Sequence, residues 1–225
     1  MSKSGKPKQP LSTKMSHLND RISRERGERP LHKRFLIVCE DDKSAPGYFN
    51  ALKKSENLSA TSVQVFGSKG YTQPIQVVKE AIKRKQRAED AANSGTEPFS
   101  EVWCVIDGDY GTKISNARKS AIAKGVKLAI STKCFEYWIL LHFEKSAVST
   151  MNCDAIVHTL KQNHLPGYTK GGCDFAEIVK HVREASKRAQ ILRDTAVMPE
   201  DQNPCSDIFK LTSAILAAVK VPQAR

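Results

Sequence analysis

Several absences narrow this chain of 225 residues before any motif is read. No apolar run approaches the ~20 residues that a membrane-spanning helix requires. The charges of the opening MSKSGKPKQP have no apolar stretch behind them, so no secretory signal is expected there. Six cysteines are present, but none forms a Cys-x-x-Cys pair, and no His-Glu-x-x-His or His-x-x-x-His motif occurs. A zinc ribbon needs paired ligands. The expectation is therefore a set of reduced, structural thiols in a cytoplasmic protein, three of them (Cys39, Cys104, Cys134) inside apolar runs. Gly-x-x-x-x-Gly-Lys-Ser/Thr is also missing, so any ATP hydrolysis would have to come from a partner.

Negative charge is the scarcer sign. Thirty-six Lys and Arg stand against 24 Asp and Glu, for a net charge of +12. That excess implies an anionic partner, nucleic acid being the commonest. The charge is uneven. Residues 1–34 hold ten basic and three acidic residues, three prolines and almost no apolar periodicity. They read as a basic arm, either a disordered, solvated tail or a contact with nucleic acid. The other 191 residues are only mildly basic.

From residue 35 the pattern alternates between strand and helix. Phe35-Leu36-Ile37-Val38-Cys39 is a continuous apolar run, as in a strand covered on both faces. A helix opening at Pro46, a strand over 61–66 and an amphipathic helix over 74–92 follow. VWCVI at 102–106 is the second continuous run, followed by a helix over 113–124 and a short strand over 127–130. KCFEYWILLHF, 133–143, reads as a buried helix, and the rest as helices over 152–164, 174–196 and 205–220. The expected fold class is α/β, a mostly parallel sheet flanked by helices. Its expected divisions are an arm over 1–34, an α/β core over 35–148 and a helical C-terminal region over 149–225.

Both continuous runs stop at acid: the first at Glu40, the second at Asp107-Gly108-Asp109. In open α/β sheets the ligand lies beyond the carboxyl ends of the strands. Carboxylates converging there repel one another unless a hard cation joins them, and Mg2+ takes a few carboxylates plus waters and phosphate oxygens. Acids after a strand also serve in ordinary turns and helix caps, and pattern alone leaves both readings open.

The chain resembles RloB-like proteins. LIVCEDDKSAPGYFNAL is similar to the opening motif of that family, SEVWCVIDGDYG to its Asp-x-Asp strand, STKCFEYWILLHF to its most distinctive block, and NPCSDIFKLTSAIL to its Asn-Pro helix start. Two departures lie in the first motif: at Glu40-Asp41-Asp42-Lys43, where the family more often has Gly and Glu after the first acid, and at Ala45-Pro46, where it usually has Glu and Pro. The resemblance implies a Toprim-like core that cuts or joins phosphodiesters with a Glu after the first strand and an Asp-x-Asp after a later one. It also implies an association with phage-defence loci and an ABC- or AAA-type ATPase partner.

On this reading Asp107 and Asp109 hold Mg2+ or Mn2+, and Glu40 is a further ligand or the general acid/base. Glu136 is a catalytic candidate that either joins the metal site or caps a helix start. Lys43, Ser131, Lys133 and Lys170 are candidate phosphate contacts, whereas His142 reads as a packed core residue. Two rivals remain. One is a phosphatase with Asp107 as nucleophile, disfavoured because Glu40 lies on an earlier strand. The other is a non-catalytic nucleic-acid-binding or sensing subunit whose phosphate contacts supply affinity.

Overall fold

The computed structural model describes residues 33–68, 70–71, 73–95, 97–108, 110, 112–145, 152–169, 171–195 and 205–219. The expected basic arm up to residue 32, Asp109 and Lys170 lie outside the described residues. Four strands form the sheet: β1 (Phe35–Cys39), β2 (Val63–Phe66), β3 (Glu101–Asp107) and β4 (Lys127–Ser131). All neighbours are parallel, in the order β2-β1-β3-β4.

Every residue of β1 is fully buried, because successive side chains point to opposite faces and both faces are covered. Leu36, Val38, Val102, Cys104 and Ile106 meet Val77, Val78 and Ala81 of α2 (Pro74–Asp90) and Ala117 and Ala121 of α3 (Lys113–Ala123). Phe35, Ile37, Cys39, Trp103, Val105 and Ala129 face α1 (Ser44–Ser55) and the C-terminal helices. Burying each large side chain contributes about 1.5–3 kcal/mol, so this alternation fixes the register.

The C-terminal helices are α4 (Phe135–Leu140), α5 (Cys153–Thr159), α6 (Phe175–Ile178), α7 (Val182–Thr195) and α8 (Ile208–Ala218). All contribute to the same apolar cluster as the sheet. All depart from their sequence pattern; the segment expected over 152–164 is α-helical only to Thr159 and continues as a π turn over Leu160–His164. Lys133 has φ +80° and Cys134 an extended backbone, so α4 starts only at Phe135. The segment expected as one helix over 174–196 is interrupted by a 3-10 turn at Val179–His181. The last helix begins at Ile208 because Ser206 pairs with Ser131 of β4, while Thr132 N–H donates to Cys205 O at 2.7 Å.

The strand order places a switch point between β1 and β3. After β1 the chain turns towards β2 through α1 on one face. From β2 it crosses back to β3 through α2 on the other face. The segments leaving β1 and β3 therefore diverge, which opens a crevice at their carboxyl ends. No helix among the described residues is long and apolar enough to cross a membrane.

Candidate active site

Glu40 directly follows β1, and its N–H donates to Val105 O of β3 at 3.0 Å. Its carboxylate then reaches across the switch point. One oxygen accepts the Asp107 N–H at 3.0 Å, and the other accepts the Tyr110 hydroxyl. Asp107 is in register with Ser131 of β4. Glu40, Asp107 and Ser131 thus occupy one edge of three adjacent strands. Tyr110 was not singled out from the sequence; its only signal is a phenol three residues beyond Asp107.

Gly108 makes this approach possible. Its N–H donates to Ser131 O at 2.8 Å, and a Cβ built on it would stand 2.6 Å from the Thr132 Cα. Backbone cannot swing aside as a flexible side chain can. Gly108→Ala should therefore push β3 from β4 and cost about 1–3 kcal/mol, read as a lower urea midpoint. An unchanged midpoint would show that the β4 turn has slack.

The donors at this edge are oxygen atoms, the set preferred by hard cations such as Mg2+ or Mn2+. Ser131 Oγ is buried and has no hydrogen-bond partner among the described residues. An unsatisfied buried hydroxyl costs about 1–3 kcal/mol. A cation's water or a phosphate oxygen would satisfy it, so the residues present fit the expected ion.

Glu136 lies in a second group, 2% exposed. One carboxylate oxygen accepts the Ser44 hydroxyl at 3.2 Å and the Tyr168 hydroxyl at 3.1 Å. Its partners are thus side chains rather than the amides that open α4. Asp41, next to Glu40, accepts the N–H groups of Lys43 and Ala45 at the start of α1. Burial, with a smaller push from Glu136, raises the Asp41 pKa above the usual carboxylate range, against the pull of these amides. Asp41, Ser44 and Tyr168 are site residues that sequence reasoning missed.

Gly171, with φ +75°, brings bare backbone against the base of the Lys43 side chain, and Lys43 itself stays exposed. Lys133, half-buried with φ +80°, sits in the turn between β4 and α4. His142 proves to be a core residue, 3% exposed and bonded to Tyr48 and Trp138.

The expectation of six unpaired thiols is corrected. Cys134 and Cys153 form a disulfide, while Cys39, Cys104, Cys173 and Cys205 form none. The two partners are 19 residues apart and meet only because α4 and α5 start side by side.

A family model described as RloB-like protein matches residues 35–215. Comparison with curated proteins and with solved structures finds no match.

Proposed function

Taking as premise that this chain belongs to the RloB-like family, we propose that it is a Toprim-like, divalent-metal-dependent phosphodiesterase that cuts nucleic acid, working with an ATPase partner. The observation that carries this reading is the meeting of Glu40 and Asp107 at the switch point, where the Glu40 carboxylate accepts the Asp107 N–H.

Glu40, Asp107 and Asp109 would hold the ion, Mg2+ or Mn2+. Once bound, it would neutralise charge on the phosphodiester. The chain's own groups do the rest. The Tyr110 hydroxyl and the Asp107 N–H orient the Glu40 carboxylate, which is thereby placed to take a proton from an attacking water. The Ser131 hydroxyl, with no protein partner among the described residues, binds a phosphate oxygen. Lys43 and Lys133, with Lys170, supply positive charge to the flanking backbone. Glu136 acts on the site through Ser44, at the first turn of α1.

The test is cleavage of labelled DNA and RNA by the full chain with Mg2+ or Mn2+, beside Glu40→Gln. Metal-dependent cutting that the substitution abolishes supports the reading. Salt-sensitive binding without cutting in any metal, with or without the partner, would instead identify a binding or sensing subunit.

A further inference from the structure

The Glu136 carboxylate is buried without a cation. Its hydrogen-bond donors are the neutral hydroxyls of Ser44 and Tyr168, and among the described residues no Lys, Arg or His pairs with it. The nearby charged group that acts on it is another acid, Asp41. An uncompensated buried carboxylate costs several kcal/mol, so this pocket calls for positive charge.

Sulfur surrounds the same carboxylate. Cys134 immediately precedes α4 and Cys153 opens α5, with Cα atoms 5.7 Å apart. The two sulfurs and a Glu136 oxygen all lie within 4.8 Å of one another. The half-buried Cys173 thiol is close enough to feel Glu136 as well. Two thiolates with one carboxylate make a donor set unlike the all-oxygen crevice. Sulfur ligands select zinc, and three protein ligands with an open fourth position form a familiar zinc coordination.

We propose that the reduced chain binds Zn2+ through Cys134, Cys153 and Glu136, and that the disulfide is the oxidised, metal-free form of the same site. On binding, the two thiols lose their protons to solvent. On oxidation by a peroxide, the two thiolates give up two electrons and the S–S bond forms. With hydrogen peroxide as the oxidant, the O–O bond breaks, two protons are taken from solvent, two waters form and Zn2+ leaves. The site joins the start of α4 to the start of α1 through Glu136 and Ser44, so its state bears on both turns beside the acidic crevice.

The test uses the full chain, reduced, desalted and titrated with Zn2+ or with Co2+ as a spectroscopic probe. About one Zn2+ per chain is expected, with a thiolate-to-cobalt charge-transfer band. Peroxide should release the zinc, measured with a colorimetric chelator, in step with loss of two thiols. Cys153→Ser and Glu136→Gln should each weaken binding at least about tenfold, the size typical of losing a metal-site contact. Asp107→Asn should keep the band, which separates this site from the crevice. Cys104→Ser should also keep it, since that thiol already donates to Val77 O and a hydroxyl can do the same. A reduced chain that is folded by circular dichroism yet shows no band overturns the proposal. So does a band that survives in folded Cys153→Ser.

Discussion

Asp107→Asn is expected to lower metal-dependent cleavage on the order of a thousandfold while the chain stays folded. A cation held at the reacting phosphate is worth several kcal/mol of charge stabilisation, and about 1.4 kcal/mol corresponds to each factor of ten in rate. Asparagine keeps the shape of the side chain and removes its charge. The backbone roles of Asp107 survive: its N–H still donates to Glu40, and its position still pairs with Ser131. The loss should therefore fall on kcat, with the far-ultraviolet spectrum and urea midpoint unchanged. Full activity in the folded variant would remove the crevice as the reaction centre. Tyr110→Phe should give a smaller loss, because it frees the Glu40 carboxylate from one tether without touching any charge.

Acid should destabilise the fold through His142. The ring sits among Tyr48 and Trp138, with Nδ1 2.9 Å from Trp138 O and Nε2 3.0 Å from the Tyr48 hydroxyl. A carbonyl can only accept, so Nδ1 carries the proton and Nε2 accepts from Tyr48: the neutral ring is already satisfied. Burial, above all, lowers its pKa to about 4, against about 6.5 in an unfolded chain. Between those values the unfolded state binds the extra proton, so stability falls as pH falls. The contribution is fully present above pH ~6.5 and lost on acidifying through the native value, about 3 kcal/mol in all. Urea midpoints at neutral pH and near pH 4.5 measure it, and His142→Asn isolates it from the carboxylates. The variant's midpoint should vary less with pH than that of the parent; equal dependence would show that the ring is hydrated.

Much of this was legible in the chain. A strand buried on both faces cannot alternate polar and apolar residues, so Phe35–Cys39 and the 102–106 run announced themselves. The acids at their ends marked the edge where a ligand binds. Helix boundaries were less readable where tertiary contacts override local pattern. Lys133 takes a positive φ inside a segment of helical composition, and Ser206 joins β4 instead of starting α8. Asp41 looked like one more acid in a turn, yet its amide bonds begin α1 two residues ahead of the expected Pro46.

By itself the sequence determined the fold class, the acidic ends of β1 and β3, and the family, because periodicity and local motifs are properties of neighbouring residues. Only the tertiary structure decided which side chains meet. It drew the Tyr110 hydroxyl onto Glu40, Tyr168 onto Glu136 across 32 positions, and Cys134 onto Cys153 across 19. Such pairings depend on how α4, α5 and the connecting loops pack over one face of the sheet, and spacing along the chain carries no record of that packing.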